Sequence, residues 1–339
     1  MPLDDCGLKV FSTCPPSALG KAESYRREVE RIARWSEDAG CEGILVYTDH
    51  GQVDPWLVSQ VIIGATRRLC PLVAVQPAYM HPYSVAKMIA SLAFLCGRRV
   101  YLNMVAGGFK NDLESLDDRT PHDQRYERLV EYTTIIQELV RSAGPVSFDG
   151  LYYKVSNLRL TPPLPSSLQP GVMISGSSEA GMAAAKRMGA TSVEYPKPPA
   201  ELAAPGPAAQ PASGMRIGIL ARDSEAQAWA VAHERFPEDR KGQLTHQLAM
   251  KISDSSWHKQ LSALGEDSPG KKNPYWLVPF QNYKTFCPYL VGSYGEVAEV
   301  VGLYVAAGYR TFVLDVPASP EEMQHIGAVF ERVTQSVAA

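Results

Sequence analysis

Cysteine is sparse and poorly placed for chemistry. The six thiols stand at 6, 14, 41, 70, 96 and 287, and no two form a CxxC pair. That spacing argues against a zinc site, any other metal site and a disulfide framework. Cys41, Cys70 and Cys96 sit beside apolar runs and read as reduced core thiols of a cytoplasmic protein. GxGxxG, P-loop, HExxH and GxSxG motifs are also missing, so the sequence-readable dinucleotide, nucleotide, zinc-protease and serine-hydrolase sites drop out. No apolar stretch approaches the roughly 20 residues of a membrane span. Met1-Pro2-Leu3-Asp4-Asp5 has no apolar core, so no secretory signal is expected. An excess of one charge is lacking too. Lys and Arg number 33 against 36 Asp and Glu, a net charge of -3, which points to neither nucleic acid nor an anionic membrane as a partner.

The 339 residues do hold a core, with 45% hydrophobic and 20% charged. Their most informative feature is how the apolar runs end. Gly43-Ile44-Leu45-Val46-Tyr47 ends in Thr48-Asp49-His50, Leu72-Val73-Ala74-Val75 in Gln76-Pro77, and Val100-Tyr101-Leu102 in Asn103-Met104-Val105-Ala106-Gly107-Gly108. Runs this apolar suit parallel strands buried on both faces. Helical periodicity at 24–40, 56–67 and 83–95 alternates with strands at 8–12, 43–47, 72–76 and 99–104, the pattern of βαβ units. A long helix is expected at 121–142 and a hairpin with an Asp-Gly turn at 146–155. Further strands are expected at 172–175, 191–194, 215–221 and 310–315, with helices at 179–188, 224–235, 294–307 and 319–336. The predicted fold is α/β, a TIM-like (β/α)8 barrel with insertions, in one domain over 1–339. A Pro/Ala-rich loop at 196–213 and a polar insertion at 238–275, read as a lid near the barrel mouth, interrupt it.

Barrel chemistry sits at the carboxyl ends of the strands, and the candidates lie there. Gly176-Ser177-Ser178 separates a strand from a helix, which suits either an anion held by free N–H groups or a plain N-cap. The Asn103 amide can meet a heteroaromatic ring edge or satisfy its own turn. Ala106 and Gly107 are small enough to let a flat ligand reach the backbone. His50 is a candidate acid or base, or a solvated loop histidine, and His81 is similar. Tyr126, beside Arg125, can reach a phosphate or belong to an amphipathic helix face. Arg216 lies in an apolar strand, where a buried charge requires a partner or a ligand anion. His122, His233, His246, His258 and His325 read as solvated.

Together, Thr48 to Val58, Leu72 to Pro82, Leu102-Asn103-Met104-Val105, Arg125-Tyr126-Glu127 and Gly176-Ser177-Ser178 resemble the bacterial luciferase-like flavin monooxygenases, in particular the alkanesulfonate monooxygenase branch. The resemblance runs from about residue 8 to 335 and implies a barrel that uses reduced FMN and O2, the flavin supplied by a separate reductase. It places Asn103, Ala106 and Gly107 at the flavin ring, and Tyr126, Gly176, Ser177 and Ser178 at its phosphate. His50, Tyr47 and Arg216 fall on the catalytic side. It implies a two-component monooxygenase acting on an organic substrate in secondary metabolism. A flavin-dependent oxidase or dehydrogenase using a carrier-protein-tethered substrate, and a non-catalytic flavin-binding relative, are the alternatives. A homo-oligomer is expected. The chain departs from the branch at Gln52 (a cysteine there), Gly218 (a histidine), Tyr283 (an arginine) and Pro317 (a tyrosine). The flavin side is thus retained while the substrate side is rebuilt.

Overall fold

The computed structural model describes residues 7–108, 110–175, 178–202, 213–252 and 274–338. In chain order it contains β1 (Lys9–Thr13), α1 (Ala22–Asp38), β2 (Gly43–Val46), α2 (Pro55–Ala65), β3 (Cys70–Val75), α3 (Pro82–Cys96), β4 (Tyr101–Met104), α4 (Lys110–Ser115) and α5 (His122–Arg141). Next come β5 (Val146–Asp149), β6 (Lys154–Leu158), β7 (Val172–Ser175), α6 (Glu179–Met188), β8 (Thr191–Glu194), β9 (Ser213–Arg222), α7 (Glu225–Arg235) and α8 (Arg240–Ile252). The last are β10 (Tyr275–Trp276), α9 (Val278–Gln281), β11 (Tyr289–Ser293), α10 (Tyr294–Ala306), β12 (Tyr309–Leu314) and α11 (Pro320–Ala338). This is the α/β element order of a TIM-like (β/α)8 barrel with insertions. No helix among the described residues is long and apolar enough to cross a membrane.

The chain divides into two compact units. One comprises Cys14–Ala33 and Gly43–Ser192. Its strands β2, β3, β4 and β7 pair in parallel, with Leu45 opposite Leu72, Val73 opposite Leu102, and Asn103 opposite Met173. All of β2, β3 and β4 is buried, as an all-parallel ladder under helices demands. Val73, Val75, Leu102, Met104 and Ile174 pack with Val85 and Ile89 of α3 and Leu129, Tyr132 and Ile136 of α5. Local chemistry starts the helices. Asp54 accepts from the N–H groups of Trp56 and Leu57 with Pro55 at the first turn, and His81 Nδ1 accepts from Tyr83 with Pro82 following. The expected hairpin is present as β5 and β6. Its turn is anchored by Glu131, whose carboxylate accepts from the backbone N–H of Leu151, Tyr152 and Tyr153 at 2.8, 2.8 and 3.1 Å.

The second unit comprises Met1–Thr13, Arg34–Glu42 and Val193–Ala339. Here β9 is shared. Its first half pairs with β12 (Val313 opposite Arg216) and its second half with β11 (Tyr289 opposite Gly218), while β1 pairs with β12 on the other edge. Leu220, Ala228, Ala232, Phe236, Trp276, Phe280 and Tyr289 form its aromatic-rich core. The sequence passed over β11, whose five apolar and small residues follow Pro288 and carry no periodic signal long enough to read. It also passed over α4. The expected polar insertion at 238–275 opens with a helix, α8, and ends in strand β10 at Tyr275. Residues 253–273 of it, and 203–212 of the Pro/Ala-rich loop, lie outside the described residues.

Candidate active site

Three strand ends carry the polar groups of the Gly43–Ser192 unit. After β2, Tyr47 is half-buried and His50 exposed. His50 Nδ1 lies 3.2 Å from Ser115 Oγ and 3.8 Å from Asp112 Oδ1, and the His50 backbone N–H donates to Asp112 Oδ2 at 3.2 Å. The imidazole also leans on Tyr79, ring centroids 5.6 Å apart. Burial, and the charges of Asp112 and Asp49, push the Tyr79 phenol up to about 12, so Tyr79 is a neutral hydrogen-bonding group at working pH. Buried Gln76 Nε2 donates to its hydroxyl at 3.4 Å. Gln52 is a clamp. Its Oε1 accepts from Ser17 N (2.7 Å) and Ser17 Oγ (2.9 Å).

At the end of β4, Asn103 is 8% exposed, and its Oδ1 accepts from Ser175 Oγ at 2.9 Å. Its carboxamide N–H groups are the part left to meet a ligand. Ala106 is buried, and Gly107 adopts φ 109°, a conformation reserved for glycine. A Cβ at Gly107 would lie 3.0 Å from Leu113, so the turn lets α4 fold back beside His50.

The third strand end is the start of α6. Ser178 Oγ caps the helix by accepting from Gly181 N at 3.1 Å. That hydroxyl keeps its own proton to donate. Tyr126 of α5 converges on the same turn. A Cβ at Gly181 would sit 3.2 Å from Ser178 Oγ and 3.3 Å from the Tyr126 ring. A hydroxyl donor, a phenol and the first N–H groups of a helix are a donor set that fits a phosphate monoester. Exposed Glu179 on the first turn opposes it in part. Gly176 and Ser177 lie outside the described residues.

The remaining candidate, Arg216, belongs to the other unit and is 9% exposed. Its neighbourhood is one the sequence did not announce. Tyr289 Oη donates to Asp315 Oδ2 at 2.7 Å, and the Arg235 guanidinium lies 5.8 Å from the Tyr289 ring centre. Burial and the Asp315 charge push the Cys287 thiol well above its ordinary value, while Arg216 and Arg235 act in the opposite sense. Gly218 makes room for the Tyr289 ring, since a Cβ there would come within 2.3 Å of it. The histidine expectations need correction at two places. His246 is 6% exposed and packs on Phe280 at 4.7 Å, where burial lowers its pKa. His325 is hydrogen-bonded to Tyr294 Oη at 2.6 Å. Arg125 is buried on α5. His258 lies outside the described residues.

Among the described residues no group of three or more His, Cys, Asp or Glu could hold a metal ion. Asp112 and Ser115 on α4, Tyr79 after β3, Tyr289 on β11 and Asp315 after β12 escaped the sequence reading because distant elements bring them to their partners and none stands in a motif.

Comparison with known proteins bears on this arrangement. The family model described as luciferase-like monooxygenase matches residues 8–311. A 4-(gamma-L-glutamylamino)butanoyl-[BtrI acyl-carrier protein] monooxygenase of Niallia circulans is 36% identical over 326 residues, covering 94% of this chain and 94% of that protein. Among solved structures, an EDTA monooxygenase of a Chelativorans species superposes with a TM-score of 0.68 at 16% identity, over 97% of this chain and 94% of that one. The oxygenating constituent of a Pseudomonas putida 3,6-diketocamphane monooxygenase, in complex with FMN, does so with 0.69 at 16% identity, over 97% and 98%. The two structures carry the fold alone, a TIM-like α/β barrel.

Proposed function

This chain belongs to the luciferase-like monooxygenase family, and from that premise we propose that it is a two-component, FMN-dependent monooxygenase whose organic substrate is an acyl chain held on a carrier protein. The observation that carries the cofactor reading is the start of α6, where Ser178 keeps a proton and Tyr126 packs over Gly181. The substrate class is inferred from the Niallia circulans relative, similar over 94% of this chain. Secondary metabolism is the setting that matches such a substrate.

When bound, reduced FMN supplies the activation of O2. The chain's own residues bind and orient it. Ser178 and Tyr126 hold the phosphate, the Asn103 carboxamide donates to the ring edge, and Ala106 and Gly107 admit the flat ring. His50 and Tyr47 handle protons on the substrate, and Arg216, in the other unit, is kept as a catalytic candidate for its buried charge. The likeness to the alkanesulfonate branch is assigned to the flavin residues. Gln52, Gly218, Tyr283 and Pro317 suit a substrate other than a simple sulfonate. A separate flavin reductase delivers the reduced cofactor, and the chain works as one barrel domain in the reducing cytoplasm, in keeping with its buried free Cys14, Cys41, Cys70 and Cys287; Cys96, expected in the core, is instead exposed at the last position of α3.

We also infer a homo-oligomer. Leu57 of α2 and Phe94 and Leu95 of α3 are 58%, 73% and 75% exposed, α2 carries no charged residue, and α3 carries only Lys87. A second copy is the occupant that suits two helices with exposed apolar side chains and a single charge between them.

The test is anaerobic titration with reduced FMN, followed by turnover with a reductase and labelled O2. Saturable binding is expected, weakened in Ser178→Ala and Tyr126→Phe by about 1–3 kcal/mol each for a lost hydrogen bond to a charged group. Label should enter the carrier-bound product. Peroxide release with no label in product would favour an oxidase, and absence of saturable binding would end the flavin reading.

A further inference from the structure

We propose that Asp112 and Ser115 of α4 hold His50 as its Nδ1–H tautomer, leaving Nε2 as the lone-pair nitrogen offered to the reacting centre. The inference rests on the proposed placement of His50 on the substrate side, and it names the positioning residues of that histidine.

The tautomer follows from counting protons. A serine hydroxyl has one proton to give. Ser115 gives it to its own helix, with Oγ donating to the Asp112 carbonyl at 2.9 Å. The same Oγ lies 3.2 Å from His50 Nδ1. With that proton on the Asp112 carbonyl, Ser115 accepts from His50 and Nδ1 is the donor. Asp112 acts in the same direction. Its Oδ1 is 3.8 Å from Nδ1 and favours a proton on that nitrogen, while its Oδ2 takes the His50 backbone N–H at 3.2 Å. One carboxylate therefore grips both the backbone and the ring of His50.

Among the described residues, the groups that contact the imidazole are Asp112 and Ser115 on α4 and Tyr79 after β3. Lys110 of α4 is turned to Glu114 at 3.6 Å. The helix that supplies the clamp is itself fixed. Leu113 is 3% exposed and packs at the Gly107 turn, and the Asp118 N–H donates to the Leu113 carbonyl at 2.9 Å. In neutral imidazole the hydrogen bond at one nitrogen decides the role of the other. With Nδ1–H committed to α4, Nε2 is the acceptor.

Nitrogen NMR of 15N-histidine-labelled apoprotein reads this directly, with His50→Gln to assign the signals. In neutral His50, Nδ1 should show the protonated, pyrrole-type resonance and Nε2 the unprotonated, pyridine-type one. Ser115→Ala and Asp112→Asn should each shift the pair toward mixed tautomers. A dominant Nε2–H form in the wild type, or signals that stay unchanged in both variants, would overturn the proposal. No flavin is needed for this measurement, so its outcome is separate from that of the FMN titration. In turnover, Asp112→Ala should lower kcat by about 10- to 100-fold, part of the roughly 100- to 10,000-fold that a positioned acid or base supplies. FMN affinity should be unchanged and Asp112→Glu should recover part of the loss. A kcat equal to wild type in Asp112→Ala would likewise refute it.

Discussion

Replacing Gly218 with alanine should disrupt the second unit through a single aromatic ring. The two residues are register partners on β9 and β11, and the new methyl would lie 2.3 Å from Tyr289 Cε2. Ordinary carbon contacts are about 3.5–4.0 Å, so the ring must move by more than an ångström. It has little freedom to do so. The Phe236 ring lies 5.0 Å away, the Arg235 guanidinium 5.8 Å, and the hydroxyl is bound to Asp315 at 2.7 Å. Overpacking costs about 1–3 kcal/mol, and losing a hydrogen bond to a carboxylate about 1.5–3 kcal/mol. Alanine returns roughly 0.4–1 kcal/mol by stiffening the unfolded chain. The net expected loss is about 2–5 kcal/mol. Urea denaturation followed by fluorescence gives the midpoint shift, and a double-mutant cycle with Tyr289→Ala isolates the cause. In the Tyr289→Ala background the methyl enters vacated space, and its penalty should shrink to within about 0.5 kcal/mol of zero. A Gly218→Ala protein as stable as wild type would refute this account. So would an equal penalty in both backgrounds.

Two further outcomes are expected. Burial alone would raise the Asp118 carboxyl, but hydrogen bonds from Arg128 (2.6 Å) and Thr120, with the Arg128 charge, pull it from 3.8 to about 2. Because the folded value lies below the unfolded one, the pair stabilises fully above the ordinary carboxylate range and loses that contribution as pH falls through about 2. Asp118→Asn should therefore cost about 1–2 kcal/mol at neutral pH, after allowing for solvent screening, and progressively less in acid; a difference from wild type that stays constant across pH in denaturation series would contradict it. Phe94→Glu with Leu95→Glu should convert the assembly to a folded monomer in size-exclusion light scattering with unchanged circular dichroism. An unaltered molar mass would remove the α2 and α3 faces from the interface.

The sequence was most legible where burial and local chemistry agree. β2, β3 and β4 were readable because parallel strands covered on both faces must be continuously apolar. α2 and α3 were readable from their helical periodicity at 56–67 and 83–95, and the structure adds the caps at Asp54-Pro55 and His81-Pro82 that start them. Asn103 and His50 could be singled out because polar residues directly after such runs fall at strand ends. β11 and α4 were not readable. Each is too short for a period, and β11 exists because the second half of β9 offers it a partner. His246 was misread for a related reason, since a histidine in a polar stretch gives no sign that Phe280 will cover it.

The order of elements, the apolar strands and the residues placed after them were written in the chain itself, because periodicity, capping and turn chemistry act between near neighbours. What only folding decided was company. Ser115 and Asp112 meet His50 across more than sixty residues, Tyr126 meets Ser178 over Gly181, and Tyr289 settles on Gly218 while Asp315 takes its hydroxyl. Contacts between distant segments are set by how strands align and helices pack, and no local pattern encodes them. A histidine's basic nitrogen is therefore a property of the folded chain, fixed by whichever distant group accepts the proton on the other side of its ring.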